Sequence, residues 1–364
     1  LKQGHMFRYI SPETRVPKNH PLRRIKDLAE AALKKLSPIF DGIYSHTGRP
    51  SIPPETLLKS QLLIALYSVR SDRQFCEMLY YNNLFQWFLD MNMDDEPFDA
   101  SVFSKNRERL MEQEIAHKFL SEIVNMARKA NLLSEEHFTA DGTLIEAWAS
   151  MKSFVKKDGK RNKNDGNPGN PSVDFHGEKR SNETHQSTTD PEALLIRKGK
   201  GKEAKLSFCE TVLMENRNGL VVDVSLTQAR KNAEATEALR MLKKERRRGK
   251  WKVKTIAGDK GFCNNKFVGA LRKMNIKPHI AKIEKWKIFG LDGRTLRSIG
   301  YRVSQRKRKL VEEIFGWKKT VGGARKTRLK GISRNQEQSC IVAAQFFCDR
   351  DSKERIGVVY KPAS

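Results

Sequence analysis

Three acidic residues have types and surroundings that could do chemistry in this 364-residue chain. Asp141 stands in FTADGTLIEAWAS, at the end of a strand-like run from His137 to Ala140 and before Gly142, which permits a turn. Asp259 stands in Gly258-Asp259-Lys260-Gly261, again at the C-terminal end of a short apolar strand, Val253 to Ala257. In open α/β sheets that edge is where ligands bind. Glu312, with Glu313 beside it, interrupts the densely basic stretch from Tyr301 to Arg334. Each acid alone has a plain explanation. Asp before Gly commonly makes a turn, and Arg308 and Lys309 lie four residues ahead of Glu312 and Glu313, an ordinary helix pairing worth roughly a few tenths of a kcal/mol. The register changes the balance, because Arg308, Glu312, Phe315 and Lys319 share one helical face and set a carboxylate between two cations. Three carboxylates in so basic a chain suit phosphodiester chemistry, in which two divalent ions about 4 Å apart activate an oxygen nucleophile and stabilise the leaving oxygen.

The basic character is pronounced. The formal net charge is +27, with 38% hydrophobic and 31% charged residues, so the chain is polar for a globular protein yet able to bury a core. Such an excess repels itself unless a polyanion is the partner, which points to nucleic acid or an anionic surface. No apolar run approaches the ~20 residues of a membrane span, and the N-terminus lacks a signal peptide's apolar core. The expectation is a nucleic-acid binder of the cytoplasm with no membrane partner. Cys76, Cys209, Cys263, Cys340 and Cys348 are scattered and form no CxxC pair, which argues against a zinc site or a disulfide framework. Gly199-Lys200-Gly201-Lys202 lacks the spacing of a phosphate loop. His176 and His185 have no second ligand at metal-site spacing and are expected at the surface.

The elements that must position the acids follow from periodicity. Residues 1 to 20 look extended, with Pro12 and Pro17 as breakers. Leu22, Ile25, Leu28, Ala29 and Ala32 predict a helix through about Leu36, and Leu57, Leu58, Leu62, Leu63 and Leu66 a second, strongly apolar one. Ser71 and Gln74 have capping-box spacing and should open a helix carrying Phe75, Leu79, Leu84 and Phe88. Ser101 can cap a short helix presenting Lys105, Arg107 and Arg109, in an order compatible with a DNA-reading helix-turn-helix. Residues 1–130 thus form an all-α, DNA-recognition domain.

Residues 131–334 form an α/β domain. Met151 to Ala204 is poor in apolar residues and reads as a basic insertion, either an entropic linker or a flap that orders on a phosphate backbone. After it come a hairpin over Leu206 to Leu226 turning at Asn216 to Gly219, a helix from Ala233 to Arg248, the Asp259 strand, a helix at Phe267 to Met274 and a strand at Pro278 to Ile283. That order implies a mixed sheet flanked by helices.

On these residues the chain resembles the DDE transposases of bacterial insertion sequences, and specifically the IS-five group. Arg308, three residues, Glu312, six residues and Lys319 match the family's hallmark, although Gln305 stands where a Tyr is expected. Asp259-Lys260-Gly261-Phe262 looks like its second acidic motif, Ala140-Asp141-Gly142-Thr143 like its first, and HQSTTDPEA from His185 to Ala193 like its inserted segment. The likeness runs from about Phe7 to Gly331; Glu313 competes for the third acid, but only Glu312 meets the spacing. The resemblance implies a ribonuclease-H-like catalytic fold and an N-terminal region that recognises terminal inverted repeats. It implies that Asp141 bridges two Mg²⁺ ions, with Mn²⁺ as a substitute, while Asp259 and Glu312 each hold one. Arg308 and Lys319 would cradle DNA phosphates, and Trp317 would pack in the core or, less expectedly, stack on an unpaired base. Water would cut at the element's end, and the freed 3′-hydroxyl would attack double-stranded target DNA, on paired ends held by a homo-oligomer. The competing readings are a non-catalytic DNA-binding regulator and a ribonuclease-H-like nuclease. The family's closing apolar helix starts at Ile341 to Phe347 but is not continued by CDRDSKERIGVVYKPAS, so residues 335–364 are expected to be a divergent tail whose last twenty or so residues pack poorly.

Overall fold

A computed structural model describes residues 11–43, 51–134, 136–157, 180–199, 201–247, 252–283 and 288–354. The chain divides into two compact units, residues 1–132 with 344–364 and residues 133–343. His176, most of the basic insertion and residues 355–364 lie outside the described residues.

In the first unit the helices are α1 (Pro12–Arg15), α2 (Pro21–Ile43), α3 (Pro54–Leu66), α4 (Asp72–Met78), α5 (Asn83–Phe88), α6 (Ala100–Glu112) and α7 (Ile115–Lys129). Pro12 does not break a helix but starts one: it occupies the first turn of α1, where no amide donor is needed, behind a Ser11 cap. α2 outruns its predicted end at Leu36 because the buried stripe continues to Phe40 past Pro38. Ser71 Oγ accepts the Gln74 amide at 3.1 Å, as the capping-box spacing predicts. The helix it opens stops at Met78, however. Asn82 Oδ1 accepts the amides of Leu84 and Phe85, both at 3.1 Å, and starts α5 as a separate helix. α6 is capped two residues earlier than expected, by Asp99 Oδ1 on the amides of Ser101 (2.9 Å) and Val102 (3.1 Å), because a carboxylate outcompetes the Ser101 hydroxyl. Phe75 and Phe103, with ring centroids 5.6 Å apart, pack α4 on α6.

The second unit holds β1 (His137–Glu146), β2 (Phe154–Lys156), β3 (His185–Ser187), β4 (Leu194–Arg197), β5 (Ala204–Glu215), β6 (Val221–Gln228), α8 (Ala233–Arg247), β7 (Thr255–Gly258), α9 (Asn265–Lys273), β8 (Lys277–Ile280), α10 (Gly293–Arg297), α11 (Ile299–Lys307), α12 (Val311–Thr320) and the start of α13 (Ile332–Glu354). β1 lies between β5, to which it is antiparallel, and β7, to which it is parallel; β6 pairs antiparallel with β5, and β8 parallel with β7. The strand order β6-β5-β1-β7-β8, three antiparallel strands followed by two parallel ones, is the ribonuclease-H-like arrangement. β4 adds to β5 beyond the end of β6.

Two sequence expectations are revised here over the described residues. The described parts of the insertion are anchored. β2 pairs with β3, Phe154 and Ala193 join a core with Leu206, Phe208 and Leu226, and His185 is buried with its ring stacked on Phe154 at 5.5 Å. His185 is therefore a core residue, not a surface one. The tail beyond residue 335 begins as helix: α13 continues to Glu354, and Ile341 to Cys348 are all buried along with Asp349 and Asp351.

Candidate active site

Asp141 is not at the end of a strand. β1 runs on to Glu146, with Asp141 opposite Val212 of β5. What ends is its other neighbour, because β7 pairs only with His137 to Thr139 and stops at Gly258. Past Thr139, β1 has no parallel partner among the described residues until the isolated bridge of Glu146 to Lys326, and Asp141 and Asp259 border the gap. Asp259 is fixed by its own turn, Oδ1 accepting the Gly261 amide at 2.7 Å. Gly142 makes no turn either. It lies in the strand opposite Thr211, and Glu234, in the first turn of α8, lies across it: a Cβ there would stand 2.3 Å from Glu234 Cγ.

The third acid arrives on helix. α11 passes through one tighter turn at Arg308–Leu310 into α12, with Lys307, Leu310 and Val311 all in right-handed helical conformation. Of the predicted common face of Arg308, Glu312, Phe315 and Lys319, the last three line one cleft of roughly 510 Å³ with Asp141, Asp259 and Glu234, whereas Arg308, in the tighter turn before α12, does not line it. Lys319 Nζ donates to Thr143 Oγ1 at 2.5 Å, which ties α12 to β1. Gln305, in place of the expected Tyr, donates to the His279 carbonyl at 2.5 Å and accepts from Arg308 Nε at 3.2 Å, so it orients the guanidinium.

Electrostatics mark the cleft. Burial pushes the Asp141 carboxyl up to about 6; the Gly142 amide opposes this, the neighbouring Asp259 and Glu312 add to it, and Arg308 offsets part. Burial, then Asp141 and Asp259, push Glu234 up to about 7. Burial, with Lys198 near, holds the Lys319 ammonium below its ordinary value. Four carboxylates line the cleft, two of them, Asp141 and Glu234, pushed up by burial and by neighbouring acids; with oxygen as the only ligand atom among them, they fit a hard divalent cation, whose charge would offset that cost. Among the described residues no three His, Cys, Asp or Glu side chains already stand close enough to hold one ion together.

Glu234 and the cationic rim of Arg197, Lys198, Arg230 and Lys231 are the cleft residues that sequence reasoning missed. The one available signal for Glu234 was an acid in the first turn of a helix directly after a strand. Of the other sequence-derived residues, Glu313 is exposed beside Glu312 and does not line the cleft, and Trp317 is half-buried. On α6, Lys105 and Arg109 are exposed, whereas Arg107 is half-buried in an ion pair with Asp72 at 2.5 Å.

A ribonuclease-H-like sheet whose acids gather where β1 and β7 part defines a class of enzymes that act on nucleic-acid phosphodiesters. Residues 10–109 match the family described as "Transposase domain (DUF772)" and residues 183–345 that described as "Transposase DDE domain". The chain belongs to the DDE transposases of insertion sequences and is a DNA transposase. Asp259 and Glu312 fall inside the DDE match; Asp141 falls between the two matches. Enzymes of this family use divalent metal ions. Among solved structures the chain is similar to a piggyBac transposase synaptic complex with hairpin DNA, at 12% identity over 95% of this chain and 77% of that one, with a TM-score of 0.42. It is similar also to a Mos1 transposase paired-end complex with left transposon end, at 14% identity over 77% and 82%, with a TM-score of 0.20. No curated protein matches the sequence.

Proposed function

We propose that this transposase, of the IS-five group, cuts at the terminal inverted repeats of its element and joins the freed 3′-hydroxyl to target DNA, with Asp141, Asp259 and Glu312 as the metal-binding acids. The observation that carries the reading is their meeting, from two strand positions and one helix, along one cleft with Lys319. Asp141, half-buried, would be shared by two Mg²⁺ ions, with Asp259 and Glu312 holding one each; Mn²⁺ would serve in their place. Bound there, the ions supply an activated oxygen nucleophile and charge for the leaving oxygen.

The chain's own groups do the rest. Lys319, held by Thr143, and Arg308, held by Gln305, present cations to the phosphate from the α11–α12 side. Arg197, Lys198, Arg230 and Lys231 hold the flanking backbone from the rim. Each step exchanges one P–O bond for another. A water oxygen replaces the 3′-oxygen at the element end, and that 3′-oxygen then replaces one in the target, so no outside energy source is needed. The helical residues 1–130, with Lys105 and Arg109 exposed on α6, read the terminal repeats. The complex works as a homo-oligomer on paired ends, in the bacterial cytoplasm at the nucleoid. Among the described residues no helix is long and apolar enough to cross a membrane.

A plasmid carrying the element ends, incubated with the protein and Mg²⁺, tests this. Specific end cleavage that disappears in Asp259→Ala, with repeat binding retained, is the expected result. Repeat binding with no cleavage by the unaltered protein would favour a regulator, and cleavage unaffected by Asp259→Ala would remove the carboxylates from the mechanism.

A further inference from the structure

A second pocket, of roughly 540 Å³, opens on the same unit away from the carboxylates. It is lined at the starts of three strands by His137 of β1, Thr255 of β7 and Lys277 of β8, across from α11, and its remaining wall is the β5–β6 turn. His137 and Asp141 are four residues apart on β1 and therefore face the same side of the sheet, about 13 Å apart at ~3.3 Å per residue. The helical segment that lines this pocket with α11 lines the carboxylate cleft with α12. The two sites thus lie along one face, separated by about four nucleotide steps at ~3.4 Å each.

The lining is one-sided in charge. It includes Arg217, Lys277 and Lys307 and no carboxylate. Lys277 and Lys307 are exposed and take part in no ion pair among the described residues; Lys307 Nζ reaches only the Arg217 carbonyl, at 3.4 Å. Two acids lie near the pocket. Glu215 is fully buried and accepts the amides of Ser134, Arg217, Asn218 and Leu220, which holds the turn rigid; Glu136 lies outside the lining, one oxygen paired with Lys254 at 2.5 Å and the other 3.8 Å from His137 Nε2. Asn216 is 5% exposed; its Oδ1 accepts from the Thr139 hydroxyl at 2.7 Å, while its Nδ2 is buried with no acceptor. A buried donor without a partner is destabilising, so an acceptor oxygen at this wall would be well received. The His137 ring and Val303, which is 45% exposed, add a surface on which a flat ring can lie.

We propose that this pocket binds one nucleotide, its phosphate between Lys277, Lys307, Arg217 and the Asn216 amide and its base against the His137–Val303 wall. The site is separate from the carboxylate cleft and does not depend on the metal reading of that cleft. The nucleotide is either free or one unit of a DNA strand that also crosses the cleft.

Calorimetric titration of the full chain in EDTA with deoxyadenosine 5′-monophosphate, deoxyadenosine and inorganic phosphate tests the proposal. We expect the nucleotide to bind at least about tenfold more tightly than either part. Lys277→Gln/Lys307→Gln, which alters only exposed side chains, should lose at least about tenfold in affinity with an unchanged melting temperature. Asn216→Asp, which keeps the Thr139 contact and replaces the unpaired donor by an anion, should lose as much or more. Asp259→Ala should bind normally. Phosphate binding as tightly as the nucleotide, affinity unmoved in the lysine variant, or binding lost in Asp259→Ala would each overturn the proposal. Cleavage of end DNA then identifies the source. A raised KM with unchanged kcat in the lysine variant makes the bound unit part of the substrate strand; loss of free-nucleotide binding with unchanged KM makes it a free nucleotide.

Discussion

Gly142 lies on β1 with the Glu234 side chain across it, and the nearest atoms are the flexible end of that side chain. Gly142→Ala should therefore displace Glu234 from the cleft at a stability cost of about 1 kcal/mol and not unfold the strand. If Glu234 positions the neighbouring acids, Gly142→Ala and Glu234→Ala should lose the same cleavage activity, on the order of ten- to a hundredfold, and the double variant no more. Additive losses would show that the two changes act separately. Glu312→Gln and Glu313→Gln form a sharper pair, since the two acids are adjacent and only Glu312 lines the cleft. In an end-cleavage assay the first should lose on the order of a hundredfold or more and the second little; equal losses would move the third acid. His279 gives a pH prediction. Burial, then His137 and Lys277, hold its imidazole down at about 4, and it is hydrogen-bonded to Ser304 at 2.7 Å. Unfolded, it takes up a proton below about 6.5. The stability it contributes is whole above that value and is lost as pH falls toward 4, a change on the order of 3 kcal/mol. Denaturant midpoints measured from pH 7 to 4 should fall less steeply in His279→Gln than in the unaltered protein.

Among the elements, α13 shows how the described insertion is used. Its first amides are capped from residues 190 and 192: Asp190 Oδ2 accepts the Gly331 amide at 3.1 Å and Glu192 Oε2 the Ile332 amide at 2.7 Å. Glu192→Ala should cost about 1 kcal/mol in a urea melt, as loss of a helix cap does, while Glu183→Ala, exposed on the same segment, should be neutral. A neutral Glu192→Ala would mean that water satisfies the helix start equally well. The strands and helices on either side were legible from periodicity, since β5, β6, α8 and α9 alternate or recur on one face within a few residues. The insertion was not, because acids that cap a helix 140 residues away have the same composition as acids in a linker. The β1 boundary failed for a related reason: Asp-Gly signals a turn locally, whereas pairing with β5 carries the strand straight through.

At the scale of the molecule, a net charge of +27 sets how DNA is held. Affinity for end DNA should fall by on the order of a thousandfold or more between 50 and 200 mM salt, with a linear log–log slope in a filter-binding or anisotropy titration. A nearly flat slope would mean that few phosphates are contacted and that the basic surface serves another purpose. A small part of that charge rims the cleft and the second pocket, where Arg197, Lys198, Arg230 and Lys231 stand at one and Lys277 and Lys307 at the other.

The sequence by itself determined the acid types, their order along the chain and the helical face that carries Glu312 and Lys319, because those depend on spacings of a few residues. Only the tertiary structure decided that β7 stops short beside β1 and opens a cleft, that Glu234 shares it, and that an unpaired Asn216 amide lines one pocket with Lys277 and Lys307 at the other end of the same face. Those relations join residues far apart in the chain through strand pairing and helix packing, and no local pattern records them.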